Sequence, residues 1–387
     1  MIGEGVPRKV TFLTTLFGQG GAETQIMRIS RELKDRGWEV HVISMLEPVG
    51  YQRELAEHGI PLSSLSMQRG LPDPRAVFRL VRVLRETRPD VLTTFCFHAN
   101  VLGAMAGRLA GVPAIVTSIR NELFGSRQRE WAERAVGMFR FNDVLTTNSE
   151  LVARSLVARN IVSKDRLRVI HNGIEVDEPD FSVDQVREVR AELKVAPDDF
   201  LWLAVGNLRE QKDYPNLLRA MRFLLNEGAG TVKLRIAGFG PYEDEVRAHI
   251  QELELYDDVH LLGRRDDVPL LLKAADAFVL SSAWEGLPNV VMEAMLSGVP
   301  VVATDVGGVA ELVEDEVSGI LVEPHSSKKL AEAMTRLMEY SAVRRSEMGA
   351  AGRDHIVANF SVDKITDRWE ALLLELMPAE THQEGVT

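Results

Sequence analysis

The sequence predicts an α/β fold of two doubly wound domains, each a parallel sheet with helices on both faces, facing each other across a cleft. Three observations carry this expectation. The chain has 387 residues, which favours two domains over one. Short, almost purely apolar runs alternate with amphipathic helical stretches, the pattern of strands buried on both faces. The alternation breaks at an acidic, proline-containing stretch, Glu175-Val-Asp-Glu-Pro-Asp180, and then resumes.

In the first series, Val10–Leu16, Glu39–Met45, Val91–Phe95, Ala114–Ser118 and Val144–Thr147 read as buried strands. Between them lie helical patterns such as Ala22–Arg36 and Pro74–Arg88, the crossovers that parallel strands require. In the second series, Phe200–Val205, Lys233–Ala237, Val259–Leu261, Ala277–Leu280 and Pro300–Ala303 are the strands. The stretch Val362–Met377 reads as a last helix, with Ile365, Trp369, Leu372, Leu373 and Leu376 at helical spacing. The expected organisation is residues 1–175, then 176–359, then the last helix within 360–377, then a loose tail, 378–387.

Composition narrows the function classes. Cys96 is the one cysteine, so no intrachain disulfide can form, and a reducing cytoplasm is the simplest compartment. No apolar stretch is long enough to span a bilayer. The formal charge is −12, unevenly spread: residues 1–175 hold 24 Lys+Arg against 18 Asp+Glu, whereas 176–387 hold 21 against 39. The basic surplus concentrates in Arg75, Arg79, Arg82, Arg85 and Arg88, and again in Arg127, Arg129, Arg134 and Arg140. Two accounts stay open here: a solvated arginine face, or contact with an anionic membrane surface or lipid diphosphate. Nucleic acid is not an expected partner, because the whole chain is acidic and carries no nucleic-acid motif.

The residues that carry chemistry fall at the C-terminal ends of expected strands, where ligands bind in doubly wound folds. In Ser281-Ser-Ala-Trp-Glu-Gly-Leu-Pro-Asn-Val-Val-Met-Glu-Ala-Met295, Glu285 and Glu293 bracket a turn and a helix start. Gly286 allows close backbone approach, and Pro288 suits the first helical position. Amides at Leu287, Asn289 and Val290 can hold phosphate, and the two carboxylates can accept from sugar hydroxyls. In Val205-Gly-Asn-Leu-Arg-Glu-Gln-Lys212, Arg209 offers a bidentate fork and Lys212 a point charge beside Gly206, suited to a departing diphosphate. Gly18-Gln-Gly-Gly-Ala-Glu23 has Glu23 where a dinucleotide fingerprint needs glycine or alanine, as does Gly238-Phe-Gly-Pro-Tyr-Glu243, so no NAD site is expected. His98 follows a strand and either helps an acceptor hydroxyl lose its proton or caps the next helix.

These fragments, with His171-Asn-Gly173 and Gly298-Val-Pro-Val-Val-Ala-Thr-Asp-Val-Gly-Gly308, resemble the retaining GT-B glycosyltransferases of family 4, over nearly the whole chain. The resemblance implies two Rossmann-like domains, with the last helix crossing back onto the first. It implies a nucleotide-diphosphate sugar bound mainly by the second domain and an acceptor mainly by the first. Arg209 and Lys212 then hold the diphosphate, Glu293 the ribose hydroxyls, Glu285 the sugar hydroxyls, and Gly20 and Gly21 approach the donor. Arg264 falls where the family places base contacts. The family's front-face mechanism needs no protein nucleophile and no cofactor.

One departure stands out. Many family members have a histidine after the Ala114–Ser118 strand, where this chain reads Thr117-Ser-Ile-Arg-Asn-Glu122. Arg120 and Asn121 therefore become candidate donor or acceptor contacts. No Asp-x-Asp triplet occurs, and His41, His58, His98 and His171 show no zinc spacing, so no metal is expected. The expected reaction moves a hexose or N-acetylhexosamine to a glycan or lipid-linked acceptor in surface-polysaccharide synthesis, with UDP-sugar favoured over GDP-mannose. Peripheral contact with the inner membrane face stays open. The alternatives are a nucleotide-sugar epimerase, a phosphorylase on the same fold, or a non-catalytic binding subunit.

Overall fold

A computed structural model describes residues 8–70, 73–120, 141–177, 179–228 and 231–377. Contacts divide the chain into two compact units, Met1–Gly173 with Val362–Thr387, and Ile174–Ser361. The expected contact residues Asn121, Arg127, Arg129, Arg134 and Arg140, and the tail 378–387, lie outside the described residues.

In the first unit the strands are β1 (Lys9–Thr14), β2 (Glu39–Leu46), β3 (Leu62–Met67), β4 (Val91–Phe95), β5 (Ala114–Ile119), β6 (Val144–Thr147) and β7 (Leu167–Val169). They form one parallel sheet in the order β3-β2-β1-β4-β5-β6-β7. Alternate side chains along each strand feed opposite faces, as the pleat demands. Val10, Phe12, Val40, Val42, Val91 and Phe95 pack with the helices Gly21–Asp35 and Val362–Leu376. Leu13, Ile43, Leu92 and Ile115 pack on the other side with Arg75–Thr87 and Phe97–Ala110.

The last helix, Val362–Leu376, is thus part of the first unit's core, with Ile365, Trp369, Leu372 and Leu373 buried there. Trp38 Nε1 donates to Glu370 Oε1 at 2.9 Å, and Arg36 pairs with Asp367 at 2.7 Å and Glu370 at 3.0 Å. The His171-Asn-Gly173 motif serves the same unit. Gln25 accepts from the Gly173 amide at 2.6 Å and donates to its carbonyl at 2.9 Å, and Arg28 adds a 2.8 Å bond to that carbonyl.

In the second unit the strands are β8 (Phe200–Val205), β9 (Val232–Ala237), β10 (Val259–Gly263), β11 (Ala277–Leu280), β12 (Val301–Thr304) and β13 (Gly319–Val322), parallel in the order β10-β9-β8-β11-β12-β13. Leu201, Leu203, Phe278 and Val301 face a layer that includes the helix Asn289–Leu296. Trp202, Ala204, Leu234 and Val279 face one that includes Tyr214–Asn226 and Ser327–Glu339. The doubly wound architecture expected from sequence is what both units adopt. Three strands were not expected, β3, β7 and β13, and each is an edge strand. Among the described residues no helix is long and apolar enough to cross a membrane.

Candidate active site

The loop after β8 and the loop after β11 meet at one buried ion pair in the second unit. Lys212 Nζ lies 2.6 Å from Glu285 Oε1, with the lysine side chain 15% and the glutamate side chain 7% exposed. Lys212 closes a 3-10 turn, Glu210–Lys212. Ser282 Oγ donates to the same Oε1 at 2.7 Å, and Gln211 Nε2 donates to Oε2 at 3.1 Å. The main chains are tied as well: Ala283 N donates to Gln211 O at 2.8 Å, and Ser281 Oγ to Lys212 O at 2.8 Å. Such charge-assisted bonds in low dielectric fix both groups firmly.

Glycines allow the loops this approach. Gly307 has φ +56°, and a Cβ there would overlap the Glu285 carbonyl. Gly308 N donates to Gly286 O at 2.5 Å. A Cβ at Gly238 would overlap the Gly206 carbonyl, so the Gly238-Phe-Gly-Pro segment is shaped for loop contact rather than as a nucleotide fingerprint. Tyr214 OH donates to Gly206 O at 3.0 Å. Burial, with the Glu285 charge nearby, pushes the Tyr214 phenol well above its usual range, so it stays a neutral donor.

The remaining expected residues of this unit follow in chain order. Leu287 is buried, and Asn289 and Val290 open the helix Asn289–Leu296, with half-buried Glu293 one turn in. Pro288 is the residue before the helix, at φ −76° and ψ 115°, one position earlier than expected, because Asn289 is the first to take helical geometry. Arg209 is exposed on the β8 loop, and no ion pair holds it among the described residues. Gly206 N donates to Ala237 O at 3.0 Å and Gly238 N to Gly263 O at 2.8 Å, so the loops after β8, β9 and β10 are laced side by side. Exposed Arg264 follows Gly263 and lies 3.4 Å from Asp266.

In the first unit, Gly20 caps the helix Gly21–Asp35. A Cβ at Gly20 would overlap the Glu23 carboxylate, which bends back onto the backbone at its own helix start and accepts from Thr14 Oγ1 at 3.4 Å. Burial raises the Glu23 carboxyl above its usual range. Glutamate at the sixth place of this loop is therefore a helix-start ligand of the chain itself. Cys96, not His98, is the cap residue of the helix Phe97–Ala110, and His98 stands exposed in its first turn. Arg120 is buried, stacks 5.3 Å over the Phe95 ring and donates to Asn172 Oδ1. Burial lowers its guanidinium to about 10, so it remains cationic at neutral pH.

Sequence reasoning missed Gln211, Ser282, Tyr214 and Asn172. Gln211, Ser282 and Asn172 sit inside quoted motifs, but nothing in their type or spacing distinguishes them from surface polar residues.

Two family models match successive parts of the chain: Glycosyltransferase Family 4 matches residues 19–178, and Glycosyl transferases group 1 matches residues 185–355. The chain belongs to glycosyltransferase family 4. The family's GT-B fold is also that of Anabaena HepE, solved in complex with UDP and glucose. HepE has a TM-score of 0.84 and 25% identity to this glycosyltransferase, covering 95% of this chain and 99% of HepE. The UDP-Gal:alpha-D-GlcNAc-diphosphoundecaprenol alpha-1,3-galactosyltransferase of Escherichia coli is 27% identical over 79% of this chain and 81% of its own length. The lipopolysaccharide core biosynthesis glycosyltransferase LpsD of Rhizobium meliloti is 26% identical over 91% and 94%.

Proposed function

We propose that this glycosyltransferase is a retaining, metal-independent enzyme that moves a hexose or N-acetylhexosamine from a UDP-sugar to a glycan or lipid-linked acceptor in surface-polysaccharide synthesis. The observation that carries the reading is the Lys212–Glu285 pair, which puts a phosphate-seeking cation and a hydroxyl-seeking carboxylate in bonding contact at a strand-end loop. Arg209, exposed on the same loop, joins Lys212 in neutralising the departing diphosphate. Each such fixed donor is worth about 3–4 kcal/mol of barrier. With the charge supplied by side chains, no metal is needed on the diphosphate.

Glu293 takes the ribose hydroxyls, Glu285 the sugar, and the amides of Gly286, Leu287, Asn289 and Val290 the phosphates. The same reading gives Arg264 a base contact, and Gly20 and Gly21 a donor contact. The nucleotide departs and the acceptor oxygen attacks from the same face, with His98 taking the proton. The UDP preference draws on the E. coli relative, named for UDP-Gal, and on the UDP-bound HepE structure.

The acceptor reading draws on the first unit's arginine helix. Phe78 is 75% exposed among Arg75, Arg82, Arg85 and Arg88, all exposed, and exposed Met105 and Leu109 lie on the adjoining helix, where Arg85 donates to Leu109 O. Apolar tips ringed by arginines suit an anionic lipid surface.

The test is product formation from UDP-sugars in EDTA, with a diphosphate-linked lipid acceptor in anionic or neutral vesicles and the new linkage assigned by NMR. Retained anomeric configuration without metal, faster on anionic vesicles, is the expected result. An inverted linkage or an absolute metal requirement contradicts the mechanism, and indifference to lipid charge contradicts the membrane reading.

A further inference from the structure

We infer that Gln211 is a positioning residue that decides which sugar the site accepts, by fixing how Glu285 presents its carboxylate. The inference rests on the reading proposed above and deepens it. An ionised carboxylate offers about four lone-pair positions, two on each oxygen. Among the described residues, Oε1 is fully engaged, by Lys212 at 2.6 Å and Ser282 at 2.7 Å. Oε2 accepts from Gln211 at 3.1 Å. One position is left, on Oε2, and Glu285 as a whole is only 5% exposed. Glu285 as held here therefore accepts from a single further hydroxyl.

Lys212 and Ser282 grip only Oε1, which leaves the carboxylate free to swing about that oxygen. Gln211 supplies the second grip. Its amide has no choice of orientation, because its nitrogen also donates to Trp284 O at 2.9 Å, and both neighbours are acceptors only. The Gln211 main chain is bonded to Ala283, so the side chain starts from a fixed point on the loop it braces. Without the amide, Oε2 regains an acceptor position and the carboxylate can turn toward other hydroxyl arrangements. Sites that hydrogen-bond a hydroxyl with fixed groups discriminate far more sharply than sites that fit by shape. Loosening Glu285 should cost that discrimination while the diphosphate cations stay in place.

The experiment titrates wild type, Gln211→Leu and Gln211→Met with UDP, UDP-glucose, UDP-galactose, UDP-N-acetylglucosamine and UDP-N-acetylgalactosamine by calorimetry. UDP affinity should stay within about twofold in both variants, and the ratio between the best and second-best UDP-sugar should collapse by about 10-fold or more, the scale of one hydrogen bond to a charged group. A ratio that survives in both variants overturns the inference. So does a fall in UDP affinity in step with the sugars, which would make Gln211 a general structural support. If wild type binds no nucleotide, the proposed function itself fails, a result distinct from either.

Discussion

Replacing Lys212 with methionine is expected to destabilise the second unit by about 3–5 kcal/mol, because it strands the Glu285 charge in a nearly solvent-free place. Glu285 would keep its bonds from Ser282 and Gln211 but lose its only cation within 4 Å among the described residues. Turnover should fall by about 10²–10³ as well, the usual effect of deleting one fixed donor to transition-state charge. The two losses separate in the double variant Lys212→Met/Glu285→Leu. An apolar pair of similar size removes both charges and should restore more than half of the lost stability, while activity stays lost. Hydrogen exchange across residues 200–322 reads the stability of this unit without assuming that both units unfold together. If the single and double variants are equally destabilised, the pair is not energetically coupled.

The second large effect is expected in the first unit. Trp369 is fully buried and packs 5.8 Å from the Phe95 ring, which in turn lies under Arg120. Trp369→Ala should cost about 3–5 kcal/mol through the cavity it leaves. Trp369→Phe should cost clearly less, because it keeps a six-membered ring in the pocket and leaves a smaller cavity. It also removes an indole N–H that has no hydrogen-bond partner among the described residues. Phe95 is the last residue of β4, directly before Cys96 and the helix that carries His98. The alanine variant should therefore loosen that loop too, read as faster exchange at residues 96–100. Equal costs for Phe and Ala would show that the helix Val362–Leu376 is held by its surface ion pairs, Arg36 with Asp367 and Glu370, rather than by its apolar face.

The interior of each sheet was legible because a strand covered on both faces must be apolar throughout. Phe200-Leu-Trp-Leu-Ala-Val205 meets this outright, and Val91-Leu-Thr-Thr-Phe95 interrupts it only with threonine, itself a strand former. The edge strands β3, β7 and β13 escaped for the complementary reason. Leu62-Ser-Ser-Leu-Ser-Met67 is half serine, and Leu167-Arg-Val169 spans three residues. An edge needs pairing on one side only, so its sequence is free to be short or polar.

The site was legible where chemistry restricts residue type: Arg209, Lys212, Glu285 and Glu293 stand out because few residue types hold phosphate or read hydroxyls. The groups that position them do not stand out. Gln211 reaches Trp284 and Glu285 from 73 and 74 residues away, whereas Ser282 and Tyr214 bond partners three and eight residues off, and residue type alone marks none of these bonds. The same holds for Gln25, whose amide clamps Gly173 from far along the chain.

The most direct test of the central claim is a thermal-shift panel of UDP, GDP, ADP and TDP in EDTA, run on wild type and on the Lys212→Met/Glu285→Leu variant. A ligand at 100 times its dissociation constant adds about 2.7 kcal/mol to the native state, a readable shift. The account predicts a shift with UDP in wild type despite the chelator, and a much smaller one in the double variant. A shift that needs added magnesium or manganese, or one that the double variant keeps in full, would contradict the assignment of the diphosphate to Lys212.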